Sequence, residues 1–379
     1  RDFGGTGICA SCGKFPGERR DNLCEKCERD VEIGKRLPWA QYVAYYERPT
    51  EEAIPMPMGY AVRVLAKDEL EQAGRPYLLT KLNDPEIREL AGQPGAFRYL
   101  ANHVPLDRFN AQLNFKEIAD KAQGRPLLGY VKADVDYLGI LFAQGLRRDE
   151  RAGYDTAAHV AALSREMDLF FSGWIQRLLS RTPDYEHFYT IFSGGDDLFL
   201  VGPWDKAAQL ACQVNDDLAS FVGGNPAITL SAGVLFTKER YPISRAAQDA
   251  EEVLELSKDG RNQLTVLGDT FAWDAAPQVF AEIEKLEASL QHLTSAFLYN
   301  LVEYGQLYQL WTQEKKVEGL RYKALFAYNI ARNLRKGDPA LYRWADGLMR
   351  SLHSGKESLT LRHLGLIATY LLFAKRVRS

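Results

Sequence analysis

The sequence lacks any long apolar run. No segment approaches the roughly 20 consecutive apolar residues that a membrane-spanning helix needs, and the N-terminus has no basic, apolar and small-residue signal pattern. Both absences favour a cytoplasmic protein without a membrane partner. The 379 residues are 46% hydrophobic and 26% charged, which is typical of a globular chain with about two to four domains. Because the chain begins at Arg1 rather than Met, it is open whether it is the later part of a longer protein.

Cysteine is also scarce, but its placement is informative. Four of the five cysteines form two Cys-x-x-Cys pairs near the N-terminus, Cys9 with Cys12 and Cys24 with Cys27. Two such pairs can supply the four thiolates of a structural zinc site. Disulfides are the competing interpretation, but nothing in the sequence marks the chain as secreted. Because four cysteines would fill the tetrahedron, we expect the zinc to be structural.

Net charge is close to neutral overall but uneven along the chain. The formal balance is -3, whereas the segment from Lys315 to Ser379 holds fourteen Lys or Arg against four Asp or Glu, a local balance of +10. Such asymmetry indicates a surface for nucleic acid or for an acidic partner. A set of solvated helix faces is the alternative.

The residue patterns divide the chain into four parts. Residues 1–34 hold the cysteine pairs, and residues 35–112 form a mixed segment with strand-like runs such as "YAVRVLA" and "RPYLLTKL". Residues 113–274 alternate strands with helices, and residues 275–379 are predicted to be entirely helical. In this last part, apolar residues at steps of three and four predict the core face of a helix. They are Ile283, Leu286, Leu290, Leu293, Phe297, Leu301 and Tyr304.

The stretch "IFSGGDDLFL" at residues 191–200 joins two apolar, aromatic-rich runs. We predict a β-hairpin whose turn lies at Ser193–Asp197. The two glycines allow a positive φ and let the backbone approach a bulky ligand. Neighbouring strand residues point to opposite faces, so Asp196 and Asp197 need not share a role. A plain turn without function is the alternative.

A second acidic motif ends an earlier predicted strand. The run "LLGYVKADVDYLGILFAQGL" places Asp134 and Asp136 where the strand gives way to a helix. Carboxylates delivered to one sheet edge by two strands can bind Mg²⁺, which also relieves their mutual repulsion. Downstream, Lys258 ends the predicted helix "ISRAAQDAEEVLELSK". It could face a triphosphate or simply cap the helix.

The order of these motifs resembles the palm domain of GGDEF diguanylate cyclases. The segments "VKADVDYLGILFAQGL" and "YTIFSGGDDLFLVGPW", with the preceding cysteine pairs, resemble more specifically the large subunit of type III CRISPR effector complexes, above all the III-A branch. The resemblance covers most of the chain. It implies an α+β fold with an N-terminal zinc-binding module, the later part of a non-catalytic palm at 35–112, a catalytic ferredoxin-like palm at 113–274 and a C-terminal helical bundle.

The resemblance also implies an activity, a site and partners. The palm would convert ATP into cyclic oligoadenylates for antiviral defence when target RNA binds the guide complex. Asp134, Asp196 and the Val135 carbonyl would hold Mg²⁺ or Mn²⁺, and Asp197 would assist with metal or proton transfer. The residues expected to bind the nucleotide are Ser193, Gly194, Gly195, Asp136, Phe142 and Lys258. Expected partners are the guide CRISPR RNA, the target RNA, the small subunit, and the backbone and guide-end-binding subunits.

Two departures from the family pattern refine these expectations. The cyclases read guanine with an asparagine and an aspartate at positions that hold Phe142 and Ala143 here. Neither side chain can hydrogen-bond guanine, so adenine is the expected base. None of the six histidines precedes an aspartate, so we expect no HD nuclease activity from this chain.

A non-catalytic ATP-binding scaffold and a free-standing cyclic dinucleotide synthase are the alternative functions.

Overall fold

A computed structural model gives the fold in two compact units. The model describes residues 7–48, 50, 53–86, 90, 94–145, 156–334, 338–354 and 358–375. One unit comprises the residues up to Val104 together with Phe171–Arg177, and the other comprises Pro105–Phe170 and the residues from Leu178 onward. Within the described ranges, no helix is both long and apolar enough to cross a membrane.

The N-terminal unit is a small sheet preceded by the cysteine pairs and a helix. Its elements are α1 (Glu25–Arg36), β1 (Tyr42–Tyr46), β2 (Ile54–Pro55), β3 (Ala61–Leu65), β4 (Leu78–Leu82) and β5 (Gly95–Arg98). The strand order is β2-β3-β1-β4-β5, and only β4 and β5 run parallel. Alternate residues Tyr42, Ala44 and Tyr46 of β1 are buried, as expected for a strand with one face on a core.

The second unit contains a six-stranded palm sheet. Its strands are β6 (Leu127–Val135), β7 (Tyr189–Gly194), β8 (Asp197–Pro203), β9 (Leu230–Lys238), β10 (Gln263–Val266) and β11 (Asp269–Ala272), in the order β11-β10-β9-β6-β8-β7. Helices α2 (Phe115–Ala119), α3 (Leu138–Ile140), α4 (Ala157–Asp168), α5 (Ile175–Arg181), α6 (Trp204–Phe221) and α7 (Ile243–Lys258) connect them. The central strand β6 runs antiparallel to β8 and β9.

Helices α6 and α7 cover opposite faces of this sheet. A Cβ atom at Gly129 would lie 2.5 Å from the Ala207 Cβ of α6, and one at Gly233 would lie 2.6 Å from the Leu254 nitrogen of α7. Gly233 pairs with Lys132 of β6, and paired residues lie on the same face of the sheet. Lys132 and Gly129 are an odd number of residues apart on β6, so they lie on opposite faces. The two close approaches are therefore on opposite faces of the sheet. The predicted site residue Asp134 lies on the α7 face, toward the end of β6.

The C-terminal part is helical and packs on the palm. It consists of α8 (Ala276–Glu287), α9 (Ser295–Thr312), α10 (Arg321–Asn333), α11 (Pro339–Ser354), α12 (Leu359–Arg362) and α13 (Leu364–Lys375). The Trp204 ring of α6 lies 4.7 Å, centroid to centroid, from the Tyr370 ring of α13. The Tyr370 hydroxyl donates a 2.6 Å hydrogen bond to the Asp205 carbonyl oxygen.

These elements confirm the predicted α+β class with a palm, a mixed segment and a helical C-terminal part. One local prediction was wrong. The apolar stripe from Ile283 to Tyr304 lies on two helices and not one, because α8 ends at Glu287 and α9 begins at Ser295 with Thr294 as its side-chain N-cap. The boundaries at residues 34, 112 and 274 stay predictions.

Candidate active site

The predicted hairpin is confirmed, with the glycines at its turn. Gly194 at the end of β7 pairs with Asp197 at the start of β8, which leaves Gly195 and Asp196 as the two turn residues. Gly195 has a φ of 69°, in the left-handed region that favours glycine. The sequence therefore forms a tight turn that presents Asp196 and Asp197 at the edge of the sheet.

The strand register brings the two acidic motifs together. Asp134 near the end of β6 is the Cα partner of Asp197 on β8, so both side chains lie on the face that α7 covers in part. The Val135 amide donates a 3.0 Å hydrogen bond to the Asp196 carbonyl oxygen. Two strands thus deliver Asp134, Asp196 and Asp197 to one end of the sheet.

The acids perturb one another electrostatically. Burial raises the pKa of Asp196, and the charge of Asp134 raises it further. Burial also raises the pKa of Asp197, with added repulsion from Asp196 and Asp134, while the Lys132 ammonium partly offsets this shift. The cluster therefore favours a bound proton or cation over three bare carboxylates.

Lys258 at the end of α7 supplies a positive charge to this cluster. Its Nζ lies 2.9 Å from Oδ2 of Asp134 and 3.3 Å from Oε1 of Glu255. Burial alone would lower the pKa of Lys258, but the hydrogen bond and charge of Asp134 outweigh it, and the net pKa is raised. Lys258 is thus held beside the acids as an ammonium ion.

Asp136 has a different environment from Asp134, although only Val135 separates them. Asp136 is 1% exposed, its Oδ2 accepts hydrogen bonds from Thr229 Oγ1 (2.7 Å) and the Asn262 amide (2.9 Å), and its Oδ1 accepts one from Ser231 Oγ (2.7 Å). The Arg261 guanidinium lies 3.6 Å from Oδ1. The expectation that Asp136 contacts the nucleotide stays a prediction. Its carboxylate is enclosed by protein donors and joins the ends of β6, β9 and α7.

The other predicted nucleotide-binding residues lie around the hairpin and after β6. Ser193 is buried on β7, Gly194 is the last residue of that strand, and Gly195 is the first of the two turn residues. Phe142 is half-buried on a π-helical turn, Leu141–Gly145, that follows α3. The roles assigned to these residues stay predictions.

Sequence reasoning missed Lys132 and its partner. Lys132 lies on the same face of β6 as Asp134, its ammonium forms an ion pair with Glu251 of α7, and its Nζ lies 5.6 Å from the centre of the Phe199 ring. The period of two along β6 could have placed Lys132 beside the acids. Glu251 had no such signal because its approach depends on how α7 packs.

The four cysteines form a separate metal-binding group in the N-terminal unit. Their sulfur atoms lie within 4.8 Å of one another, and Cys12 Sγ is 3.9 Å from Cys24 Sγ, which rules out a disulfide between that pair. The Cys24 amide donates to Cys9 Sγ at 3.2 Å. Backbone N–H groups, chiefly that of Cys12, lower the pKa of Cys9 to about 6. Among the described residues, this group brings at least three ligand side chains within reach of one ion.

Comparison with known proteins gives a family match for the palm. Residues 127–265 match the model of the Cas10/Cmr2 second palm domain. The palm of this chain is therefore similar to the Cas10/Cmr2 second palm domain. The matched residues include both acidic motifs, the hairpin and Lys258, so the whole cluster described above lies within the matched range.

Similarity extends beyond the Cas10/Cmr2 palm to large subunits of subtype III-A. The single-strand-specific deoxyribonuclease Cas10/Csm1 of Thermococcus onnurineus is 26% identical over 385 residues, covering 86% of this chain and 46% of the relative. Its counterpart from Methanocaldococcus jannaschii is 34% identical over 188 residues, covering 43% and 23%. The matched part of the chain therefore spans about half the length of the Thermococcus onnurineus relative and about a quarter of the Methanocaldococcus jannaschii relative.

Solved structures show the same fold. The Csm1–Csm4 subcomplex of a type III-A CRISPR-Csm interference complex matches with a TM-score of 0.70 at 23% identity, covering 93% of this chain and 50% of the matched chain. Csm1–Csm4 cassettes in complex with one ATP and with cA4 match with TM-scores of 0.69 and 0.68, at 23% and 21% identity. They cover 92% and 89% of this chain, and 50% and 49% of the matched chains.

Proposed function

We propose that this chain is the catalytic palm part of a type III CRISPR large subunit and converts ATP into cyclic oligoadenylates when target RNA binds. The observation that carries the proposal is the register of β6 with β8, which sets Asp134 opposite Asp197 with Lys258 against Asp134. Carboxylates from two strands, with a fixed ammonium beside them, suit the binding of a nucleoside triphosphate. The ATP and cA4 complexes of similar Csm1–Csm4 cassettes support the same substrate and product class.

In the proposed step, the 3′ hydroxyl oxygen of one ATP bonds to the α-phosphorus of another. The bond from that phosphorus to the bridging oxygen breaks, and pyrophosphate leaves with the bond's electron pair. Asp197 would accept the hydroxyl proton. Lys258 would balance charge on the phosphates once its contact with Asp134 is exchanged.

We propose that the acid cluster binds a divalent cation. The raised pKa values of Asp196 and Asp197 reflect burial and carboxylate repulsion, which a bound cation would relieve. Asp134, Asp196 and the Val135 carbonyl would hold Mg²⁺ or Mn²⁺, which when bound would neutralise charge on the phosphates. The cysteine group likewise fits a structural Zn²⁺, since its four thiols converge and backbone N–H groups favour the thiolate of Cys9.

Adenine is the proposed base because of what stands at the positions where the cyclases read guanine. Phe142 and Ala143 offer no hydrogen-bonding side chain, so a guanine edge would lose its partners there. This substitution also disfavours a free-standing cyclic dinucleotide synthase that uses GTP. The deoxyribonuclease activity in the relatives' name is not proposed for this chain, since its sequence contains no His-Asp pair.

Guide and target RNA are proposed partners of the basic C-terminal segment, together with the other type III subunits. On α10, Arg321 and Lys323 are exposed and make no ion pair with any described residue. Tyr328 on the same helix is 63% exposed, with the Arg332 guanidinium 6.0 Å from its ring centre. Cations without acidic partners beside an exposed aromatic ring favour RNA over a purely protein-docking face.

The proposal is tested in the assembled complex with matched target RNA, ATP and Mn²⁺ or Mg²⁺. The double variant Asp196→Ala/Asp197→Ala should lose oligoadenylate synthesis while it still assembles. Glu239→Ala, at a partly exposed position away from the cluster, serves as the control. Equal product from the double variant and the parent would refute catalysis by these acids. If the parent binds ATP but makes no product, the scaffold function replaces the enzyme.

A further inference from the structure

A cavity of about 370 Å³ lies within the second unit, between α6 and α8, and shares no residue with the palm site. Its volume is in the range of small-molecule sites, about 300–1,000 Å³. One wall is the face of α6 that carries Gln209, Cys212 and Asp216, which follow one another at steps of three and four residues. The other wall is the face of α8 that carries Phe280 and Glu284, four residues apart. The two helices therefore present one face each to the same space.

Two buried aromatic residues complete the lining, and contacts with the protein fix their rings. Trp273, which precedes α8, is 9% exposed, and its indole N–H donates a 2.8 Å hydrogen bond to the Leu230 carbonyl oxygen. Tyr185, which lies between α5 and β7, has its ring centre 6.2 Å from that of the fully buried Phe188. Because these contacts hold both rings, the aromatic surface of the cavity is in place before any ligand arrives.

The Tyr185 hydroxyl has no hydrogen-bond partner among the described residues, although only 8% of the residue is exposed. Burial, with a smaller contribution from the charge of Asp184, raises the pKa of Tyr185 to about 12, so the hydroxyl is neutral. A buried polar group without a partner is rare in proteins, and this one lines a cavity, so it marks a hydrogen-bonding position for a ligand. The Gln209 side chain is likewise unpaired within the described ranges. Both groups offer an oxygen that can accept from an N–H.

The charge of the lining favours a cation. Its charged residues are Asp216 and Glu284, two carboxylates and no cation, which gives a net charge of -2. Neither carboxylate forms an ion pair with any residue that the structure describes, and Asp216 accepts a 3.4 Å hydrogen bond from the neutral Asn215 side chain. A phosphate group would be repelled here, whereas a cation is attracted by the carboxylates and by the aromatic faces.

Other ionisable side chains on the two helices do not neutralise this charge. Lys206 on α6 lies 3.2 Å from Asp184, and Lys285 on α8 lies 3.9 Å from Glu282. Burial, and then the charge of the nearby aspartate on α6, raises the pKa of Cys212 to about 12, so its thiol adds no charge. The two lining carboxylates are therefore the charge that a ligand meets.

We propose that this cavity binds an organic cation, either an alkyl ammonium or a guanidinium group. The charged nitrogen lies near Asp216 and Glu284 and donates to the Tyr185 hydroxyl, while the alkyl chain packs on the aromatic rings. The same chemistry is offered by a free polyamine and by a lysine or arginine side chain of a partner protein. The inference goes beyond the palm reaction and does not rest on it, because the residues are different and the step is binding alone.

The test uses the full chain with Asp196→Ala/Asp197→Ala, which removes the palm acids as a competing cation site. Putrescine and an end-blocked tripeptide with a central arginine are titrated by calorimetry at low salt. The corresponding diol and the same tripeptide with citrulline are the neutral analogues of similar shape. Asp216→Asn/Glu284→Gln should weaken binding of both cations about 3- to 30-fold, the range for two solvent-exposed charge pairs. Glu303→Gln is the matched control, since Glu303 is an exposed glutamate of α9 that does not line the cavity.

A second variant tests the buried hydroxyl. Tyr185→Phe removes that oxygen and keeps the ring, so it should weaken binding of both cations about 2- to 10-fold, the range for one hydrogen bond. Binding like that of the parent would overturn the placement of the charged nitrogen beside Tyr185. Thermal melting verifies that each variant is folded.

The remaining outcomes decide the proposal and the source of the ligand. Putrescine that binds better than the arginine peptide supports a free polyamine. An arginine peptide that binds at least as well supports a basic side chain of a partner protein. The proposal is overturned if, at millimolar concentration, neither cation binds more tightly than its neutral analogue, or if Asp216→Asn/Glu284→Gln weakens binding no more than Glu303→Gln. None of these results depends on the palm reaction, because the palm acids are absent from every protein measured.

Discussion

Replacing Asp136 tests whether one buried carboxylate holds the end of the palm sheet together. Asp136→Ala removes the acceptor of hydrogen bonds from Thr229, Ser231 and the Asn262 amide, and it leaves Arg261 without its acidic neighbour. Breaking a buried charged network costs about 3–5 kcal/mol. We expect that loss in the free energy of unfolding, which for a unit of this size lowers Tm by about 6–20 °C.

The isosteric variant Asp136→Asn should cost less. Its carbonyl oxygen can still accept from Thr229 and the Asn262 amide, and its amide group can donate to the Ser231 hydroxyl. The charge is lost and the amide faces Arg261, so we expect a decrease of about 1–2 kcal/mol. Asp134→Ala is the matched control on the same strand face. Its partly exposed ion pair with Lys258 contributes less than about 1 kcal/mol.

Urea unfolding of the full chain, followed by circular dichroism, measures all three variants. The predicted order of destabilisation is Asp136→Ala, then Asp136→Asn, then Asp134→Ala. If Asp136→Ala unfolds within about 1 kcal/mol of the parent, its hydrogen bonds do not form the network described, and the positioning role fails.

Three further predictions concern the acids, the cysteines and the basic helix. Asp134→Asn removes a negative charge beside Asp196 and Asp197, so carboxyl NMR titrations should give lower pKa values for both residues. Unchanged pKa values would show that Asp134 does not lie close to these two acids. Since these folded-state pKa values are raised, parent stability should fall as pH rises from the ordinary carboxyl pKa to the raised values, and the variant should flatten that slope. Metal analysis should give about one zinc per chain, lost in Cys9→Ser and retained in Cys212→Ser; a folded, metal-free parent would exclude zinc. Arg321→Ala/Lys323→Ala should reduce the salt slope of RNA binding by about 1 per cation, and an unchanged slope would place the RNA elsewhere.

The parts of the fold that were predictable from sequence depend on local patterns. Two glycines between apolar runs predicted the β7–β8 hairpin, and the amphipathic run at 243–258 predicted α7. Both signals lie within a few residues, so no knowledge of distant packing was needed. The break between α8 and α9 was missed because the apolar spacing continues across it. Thr294 was the available signal, since it stands where a helix N-cap would stand.

The site was less predictable because its chemistry depends on contacts between distant parts of the chain. The sequence pattern placed Asp134 and Asp197 at strand ends, and β-sheet register then paired them. Nothing local indicated that Lys132 would meet Glu251, or that Thr229 and Ser231 would both donate to Asp136. Hydrogen bonds in the N-terminal unit likewise join residues that are far apart in sequence.

Asp134 and Asp136 show why residue type alone does not assign a role. Both lie at the end of β6 and point to the same face, yet Asp136 is enclosed by neutral and cationic donors. Asp134 instead faces carboxylates, with Lys258 as its close cationic partner. A fully hydrogen-bonded anion gains nothing from a further ligand, whereas a group of repelling anions is stabilised by any cation that bridges them. We therefore propose that the enclosed Asp136 serves the architecture and that Asp134, Asp196 and Asp197 are the acids that bind and react.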